Sequence, residues 1–311
     1  MRRDRPALAP LRGLVGASRP ARAAGAALIL VLWLIALLSA LVGTFAMTAR
    51  IEHLQARVLD RGLVAREAAR AGLEYALLRV TDTDDRTRWL ADGRAYPWPF
   101  AGALVTVRIR DEQGKVDLNQ ADPTLLAALF TRLGVDQDAA TQLAGAIVDW
   151  RDPDSLSQAS GGAEDAQYAE AGRPYGAKDA PFDTVAEVEQ VLGMTPAIYA
   201  RAAPFLTVYS GNARPAPAAA AAEVLDAMGY DGASAVAARE AWQPGQGQAP
   251  PLLPDGTPLA AVGSGTYSIE SHARLADGRT ADLAAVVRVG GSGLPGAAYT
   301  PLSWGEGAAP R

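Results

Sequence analysis

Apolar residues form one long run near the start of the chain and continue beyond it as a stripe. Residues 23–49 contain no charged side chain. Between residues 51 and 80 the apolar positions recur at spacings of three, four or seven, which is typical of an amphipathic helix. These positions are Ile51, Leu54, Val58, Ala65, Ala69, Leu73, Ala76 and Val80. No proline interrupts residues 26–80, so the pattern predicts one continuous helix, roughly 80 Å long at 1.5 Å per residue.

The first half of this helix, residues 26–48, is a candidate membrane span, because about 20 apolar residues cross a bilayer. Residues 1–25 carry six arginines and one acidic residue, Asp4. Since basic residues stay on the cytoplasmic side of a span, we expect a cytoplasmic N-terminus, with residues 49–80 and the body outside. The apolar run is longer than the core of a secretory signal, which has roughly 7–15 residues. A plain signal anchor would show the same hydropathy.

A family resemblance rests on the junction between the basic leader and the span. A leader (1–25) that ends in a glycine, followed by an apolar helix with an amphipathic continuation, resembles the type IV pilin and pseudopilin superfamily. There a prepilin peptidase cleaves after the glycine, here Gly25, and methylates the new N-terminus, here Ala26. Most members have glutamate at the fifth mature position, where this chain has Leu30. That difference and the run from Ala27 to Trp33 resemble one branch, the minor pseudopilin K of the type II secretion system (general secretion pathway protein K).

The resemblance implies a single-pass protein of the bacterial inner membrane. Its N-terminus would be cytoplasmic before processing, and its body periplasmic. It would lie at the tip of the pseudopilus, initiating and capping assembly and supporting protein export across the outer membrane. The implied partners are pseudopilins I and J, packed helix to helix through the stripe in residues 51–80, the other pseudopilus subunits and the prepilin peptidase. A subunit with none ahead of it needs no glutamate to neutralise a preceding N-terminus, which fits Leu30.

Alternation of apolar and polar residues predicts three strands in the body. They are residues 103–110, 266–275 and 279–289, and Ala276-Asp277-Gly278 between the last two is a hairpin signal. The polar and proline-rich segment 81–102 predicts a loop. The Gly- and Pro-rich residues 290–311 predict a flexible tail.

The predicted strands come from both ends of the body, with helical sequence between them. We therefore predict an α+β fold in which a pilin-like long N-terminal helix packs on a small antiparallel sheet. The sheet domain comprises residues 81–118 and 263–289. Residues 119–262 form a large inserted all-α domain that is similar to helix-hairpin-helix modules.

Two segments of the insert carry this helix-hairpin-helix resemblance. The first runs from Val116 to Trp150, and the second from Phe182 to Phe205. Asp122 followed by Pro123 predicts a helix start, since Asp caps helices and Pro favours the first turn. A weaker copy covers residues 221–230, and the Ala- and Pro-rich residues 213–222 are left without predicted structure.

Helix-hairpin-helix modules commonly bind DNA through phosphate contacts at the hairpin. Such hairpins use a Gly-hydrophobic-Gly turn whose bare backbone amides hold a phosphate. Here Asp136 and Thr195 replace the second glycine, and the chain after residue 25 carries a net charge of −10. Because phosphate binding depends on positive charge, we expect no nucleic-acid partner. The alternative function is a membrane-anchored helix-hairpin-helix DNA-binding protein of a competence or type IV pilus system.

The acidic loop 149–183 is the candidate metal site. It exceeds ordinary loop lengths, and Ca²⁺ takes six to eight oxygen ligands from carboxylates and carbonyls. From the residues alone, a solvated acidic loop and a Ca²⁺ site are equally good interpretations. The resemblance to pseudopilin K favours Ca²⁺, because that family holds calcium in this region. The expected ligands are Asp152, Asp154, Glu164 and Asp165, with Asp149, Asp179 and Asp183 as possible additions.

The sequence contains few residues from which a catalytic site could be built. The chain has no cysteine and only two histidines, His53 and His272, so thiol and histidine-dependent sites are hard to build. No GxSxG or Walker motif is present. We therefore predict a protein that is not an enzyme and that works by assembly.

Overall fold

The computed structural model describes residues 23–260, 263–290 and 298–307, with the backbone alone for residues 23–26 and 51–60. The chain divides into a unit that ends at Asp60 and a unit that begins at Arg61. Each is described by itself below. Of the predicted leader 1–25, residues 1–22 lie outside the described residues, and Gly25 and Ala26 are described by their backbone alone.

After the long N-terminal helix, the strands of the main sheet come from both ends of the body with helices between them, and the predicted α+β class is confirmed. The helices are α1 (Ala23–Val80), α2 (Pro123–Arg132), α3 (Gln137–Arg151), α4 (Asp165–Glu170), α5 (Pro196–Ala202), α6 (Ala222–Ala227) and α7 (Gly232–Ala241). The strands are β1 (Asp92–Phe100), β2 (Ala103–Asp111), β3 (Val116–Asp117), β4 (Leu206–Thr207), β5 (Thr266–Leu275), β6 (Thr280–Val289) and β7 (Tyr299–Glu306). Short 3-10 helices cover Glu112–Gly114, Val185–Gln190 and Ala203–Phe205.

The first unit contains the N-terminal part of α1. Within the described residues, Ala27–Arg50 is the one helical segment that is long and apolar enough to cross a membrane, and none of it is buried.

The second unit begins with residues 61–80 of α1, which pack on one face of an antiparallel sheet. The sheet has the order β1-β2-β5-β6-β7. Ala65, Ala69, Leu73, Ala76 and Val80 are buried against inward-facing residues of the strands. Small residues on the helix allow this close packing, and Gly72 is the extreme case, because a side chain there would overlap Ser271 and Val105. The predicted stripe thus forms the core of the helix–sheet domain.

One part of the sequence prediction about this stripe is wrong. We expected it to contact partner subunits through residues 51–80, but from Ala65 onward its side chains are buried on the protein's own sheet. The opposite face of α1 is exposed instead. There Leu63, Val64 and Leu78 are 56%, 42% and 67% exposed.

The prediction of a loop over 81–102 is wrong for its second half, because residues 92–100 form β1. Pro97 and Pro99 pointed to a loop, since proline cannot donate a ladder hydrogen bond. β1 lies at the edge of the sheet, where proline is tolerated. Its Trp98 stacks on Tyr75 of α1 with ring centroids 4.4 Å apart.

The tail 290–311 was predicted to be flexible, and this is wrong for Tyr299–Glu306, which form β7 at the other edge of the sheet. β7 pairs antiparallel with β6, and the hydroxyl of Tyr299 donates to Glu74 of α1 over 2.7 Å. Pairing with a distant strand, rather than local sequence, thus orders this segment. Residues 291–297 and 308–311 lie outside the described residues.

The insert begins directly after β3, which pairs in parallel with β4 inside the insert, and the chain returns to the main sheet at β5. Helices α2 and α3 form the first predicted hairpin, and Asp122 caps α2 by accepting from the backbone N–H of Leu125 at 2.8 Å. In the second copy, Val185–Gln190 form a 3-10 helix before α5. Residues 222–241 add the pair α6 and α7. The insert has its own apolar core, separate from that of the sheet domain.

Candidate functional site

The C-terminal turn of α3 positions the first two acidic residues of the site. Asp136 caps the start of this helix, and Asp152 follows its last residue. Asp149 and Asp152 are three positions apart, so their side chains lie on the same face of the helix end. Asp149 is fully buried and Asp152 half-buried.

The following loop folds back onto α3 and brings in the third acidic residue. A side chain at Gly145 would overlap the carbonyl oxygen of Gly161, and one at Gly162 would overlap the Asp149 carboxylate. These contacts need glycine. The backbone N–H of Gln158 donates to both carboxylate oxygens of Asp149, at 3.2 and 3.3 Å.

The returning chain places Glu164 beside the two aspartates. One carboxylate oxygen from each of Asp149, Asp152 and Glu164 lies within 4.8 Å of the others. Glu164 is 7% exposed. Within the described part of the chain, Asp152 Oδ1 and Glu164 Oε1 are buried without a hydrogen-bond partner. Buried acceptors without partners are costly, so this cluster has the chemistry of a site that receives a cation. We call these three residues the carboxylate cluster.

Electrostatics in the carboxylate cluster disfavour three negative charges. Burial, together with the neighbouring carboxylates of Asp149 and Asp179, raises the pKa of Glu164 to about 7. Burial also raises the pKa of Asp149, and burial with the charges of Asp154 and Asp149 raises that of Asp152. A bound divalent cation would reverse this effect, because opposite charge favours the ionised form.

Only part of the expected ligand set enters the carboxylate cluster. Asp154 is exposed, accepts from the backbone N–H of Leu156 at 2.9 Å, and acts on the cluster through its charge. Asp165 starts α4, with its carboxylate against Gly176. Asp183 pairs with Lys178 at 2.7 Å. Exposed Asp179 lies close enough to influence Glu164 by charge and adopts a left-handed backbone with φ of 53°.

An aromatic group next to the cluster was not predicted from the sequence. Trp150 packs with Tyr168, Tyr175 and Phe182, with ring centroids 5.9 to 6.3 Å from its own. The indole N–H of Trp150 donates to Glu187 at 2.9 Å. Four aromatic residues spread over 33 positions show no period, so a single sequence gives no signal for their meeting.

Polar side chains tie this region to the entrance of the insert. Arg151 donates to the backbone carbonyl oxygens of Leu118 and Ala121. Asn119 exchanges two hydrogen bonds with the backbone of Phe182, at 2.7 and 3.0 Å. The acidic loop is therefore fixed to β3 and α2 by contacts that bridge 30 or more positions.

The first hairpin presents an acidic side chain where a phosphate would bind. Gly134 has a left-handed backbone with φ of 83°, and Asp136 accepts from the N–H of Asp138 at 3.0 Å. A carboxylate there repels phosphate and occupies the amide that would hold it. The absence of a nucleic-acid partner stays a prediction.

Comparison with known proteins finds one family that is similar to part of this chain. Residues 103–211 match the family described as type II secretion system (T2SS), protein K. This region is similar to the protein K family. The matched residues include β2, the first hairpin and the carboxylate cluster, so the resemblance predicted from the sequence is confirmed.

Two similar proteins extend the comparison. The type II secretion system protein K of Aeromonas hydrophila is 31% identical over 166 residues, which are 45% of this chain and 50% of the relative. This chain thus spans half the length of that relative. A chain in the crystal structure of the GspK–GspI–GspJ complex from the enterotoxigenic Escherichia coli type 2 secretion system aligns over 82% of this chain and all of its own, with a TM-score of 0.55 and 17% identity. At that identity the likeness shows a shared fold.

Proposed function

We propose that this protein is a minor pseudopilin that initiates and caps the tip of a type II secretion pseudopilus and so supports protein export. The observation that carries the proposal is the protein K match over residues 103–211. The matched residues include both a strand of the sheet domain and a large part of the helical insert. The role is structural and involves no catalysis. A large insert on a pilin-like frame obstructs the addition of a further subunit, and Leu30 in place of glutamate suits a subunit with none ahead of it.

The proposed location follows from the N-terminal helix. Ala27–Arg50 would cross the inner membrane once, with the body in the periplasm because the arginines precede the span. A prepilin peptidase would cleave after Gly25 and methylate Ala26. A Gly25→Ala variant, co-expressed with the peptidase, is expected to keep its leader, as judged by intact mass. Cleavage of that variant at the normal rate would contradict the pilin-type leader, whereas an Ala27→Gly control should be processed.

The proposed partners are pseudopilins I and J, and their helices would pack on the exposed face of α1. The proposal rests on the burial of the opposite face. Val64, Ala71 and Leu78 are spaced by seven residues, which aligns them along the helix, and Glu67 and Glu74 lie beside them. A partner helix with apolar residues at the same spacing and basic residues near these glutamates would fit.

Co-purification tests the partners and the surface together. The full-length chain, extracted in detergent with tagged pseudopilins I and J, is expected to form a stable complex. Val64→Asp with Leu78→Asp should lower the recovered partner at least tenfold, because charge would enter an apolar contact. Arg66→Asp, which changes an exposed position on another side of α1, is the control. If the parent protein formed no complex, the proposed function would be contradicted. If the double variant still recovered the partners, the proposed binding surface on α1 would be contradicted.

We further propose that the carboxylate cluster binds Ca²⁺. Asp149, Asp152 and Glu164 supply hard oxygen ligands, two of their buried oxygens lack other partners, and backbone carbonyls and waters would complete six to eight ligands. A bound calcium ion would neutralise the cluster and hold the returning loop against α3. Asp154 and Asp179 would contribute negative potential at the rim.

Terbium luminescence tests the calcium site, because Tb³⁺ prefers the same ligands and is sensitised by nearby indole and phenol rings. Excitation of Trp150 and Tyr168 is expected to give Tb³⁺ emission that Ca²⁺ quenches by competition. Asp149→Asn with Glu164→Gln should abolish the emission. Asp183→Asn removes a carboxylate outside the cluster and should leave it unchanged. Equal emission from the double variant and the parent would contradict this site.

A further inference from the structure

Buried polar side chains connect the sheet domain and the insert, although each domain has an apolar core of its own. The two cores are separate clusters, one between α1 and the sheet and one within the insert. Two groups of buried charged side chains lie between them. We call these the Glu112 joint and the Asp92 joint.

The Glu112 joint links the end of β2 to both domains. The Glu112 carboxylate is 1% exposed and accepts from the hydroxyl groups of Thr207 in β4 and Ser268 in β5. Lys115 donates to it over 2.6 Å and to Ser268 over 2.5 Å. A residue of the insert and a residue of the sheet therefore share one buried carboxylate.

The Asp92 joint links β1 to α7. The side chain of Arg239 is 3% exposed and lies 3.8 Å from the carboxylate of Asp92, whose backbone carbonyl it contacts at 3.3 Å. Arg94 pairs with the same carboxylate at 2.7 Å and donates to the backbone carbonyl of Arg239 at 3.0 Å. Arg239 also donates to the carbonyls of Pro217, Ala218 and Ala220 at 2.9 to 3.2 Å.

A backbone contact lies close to these joints. The N–H of Ala216 donates to the carbonyl of Gln113 over 2.7 Å, and a side chain at Gly114 would overlap the backbone of Ala219. The Ala- and Pro-rich residues 213–222, which had no predicted structure, are thus held between the domains.

Directional contacts of buried charges respond to rotation differently from apolar packing. Apolar surfaces tolerate small sliding, because burial depends mainly on area. A hydrogen bond to a buried charge is lost within a few tenths of an ångström or a few tens of degrees, which leaves an unpaired charge in a dry site. The two joints lie at different positions, Glu112 just after β2 and Asp92 in β1. Each joint therefore opposes rotation of the insert about the other.

We propose that the Glu112 and Asp92 joints lock the insert in a single orientation on the sheet domain, so that the insert and the helix–sheet body move as one rigid piece. The lock acts through geometry and does not depend on the secretion role. It gives a physical basis for force applied to α1 and the sheet to reach the insert without bending.

Electron–electron distance measurements test the lock in the full-length protein in detergent. The chain has no cysteine, so spin labels attach only at introduced sites, here Arg274→Cys on β5 and Ala200→Cys on α5, both exposed. The parent is expected to give one narrow distance distribution. Glu112→Gln combined with Arg239→Met should broaden its width at least twofold, while circular dichroism shows retained helices.

Arg132→Gln, which removes an exposed pair with Asp226 inside the insert, is the control and should leave the distribution narrow. A broad or bimodal distribution in the parent would overturn the lock, and so would an unchanged width in a folded double variant. If the double variant does not fold, Thr207→Val, which removes one contact of Glu112, decides. It should broaden the distribution measurably, and an unchanged width would overturn the lock.

Discussion

The helix–sheet domain and the insert differ sharply in charge and in how they are held together. Residues 119–262 carry 18 acidic and seven basic side chains, whereas acidic and basic residues nearly balance in the rest of the chain after the leader. The helix–sheet domain is built from regular apolar faces. The insert adds a buried carboxylate cluster with unpaired oxygens. This difference is the basis of our proposal that the insert, rather than the helix–sheet domain, binds a cation.

The largest expected effects come from the two apolar cores. Leu73 of α1 and Phe130 of α2 are both fully buried. We predict that Leu73→Ala costs roughly 2–5 kcal/mol and Phe130→Ala roughly 3–5 kcal/mol, because each leaves a cavity. Denaturant unfolding measures both losses. Hydrogen exchange should show that Leu73→Ala lowers protection in the sheet domain and that Phe130→Ala lowers it in the insert. An equal loss of protection in both domains would contradict two separate cores.

The next largest expected effect is that calcium stabilises the insert but not the helix–sheet domain. At 100 times its dissociation constant, Ca²⁺ is expected to stabilise the insert by about 2.7 kcal/mol, with no direct effect on the sheet. Hydrogen exchange with and without chelator measures this difference. Asp149→Asn with Glu164→Gln should lose the calcium effect and, without calcium, should be no less stable than the parent, since charge repulsion is relieved. If calcium slowed hydrogen exchange equally in both domains, the proposed difference between them would be wrong.

Helix capping should give a smaller effect confined to the insert. Asp122→Ala removes the carboxylate that caps α2 and is expected to cost about 1 kcal/mol. Asp138→Ala, an exposed residue in the first turn of α3, is the comparison and should cost less. Thermal unfolding measures both, and an equal cost for the two variants would count against the cap.

The smallest expected effect concerns an exposed ion pair. Arg132 and Asp226 lie 2.8 Å apart with the arginine side chain 54% exposed. Arg132→Gln should change stability by roughly 0–1 kcal/mol, as exposed pairs usually do. A loss well above this in chemical unfolding would show that the acidic insert depends on its few basic residues more than its burial pattern indicates.

Periodic elements were predictable from the sequence because their pattern is local. Helix α1 and strands β2, β5 and β6 follow directly from apolar spacing. β1 was missed because Pro97 and Pro99 dominate its local pattern, although an edge position accepts them. β7 was missed because its order comes from pairing with β6.

The candidate site was predictable in composition but not in geometry. The acidic loop was predicted as the site, and two of its expected ligands, Asp152 and Glu164, are in the carboxylate cluster. Asp149 was an addition in the prediction and is a member, because Gly161 and Gly162 let the loop return onto α3. Asp154 and Asp165 were favoured by spacing alone. Which carboxylates meet depends on contacts between residues far apart in the chain, which one sequence does not encode visibly.

The location of the subunit in assembled filaments tests the central claim most directly. Full-length protein with Ala200→Cys, labelled by maleimide–gold and incorporated into isolated pseudopili, should appear by electron microscopy at one end of each filament and only once. Gold distributed along the filaments, or at both ends, would contradict the account of this protein as the subunit that caps the tip.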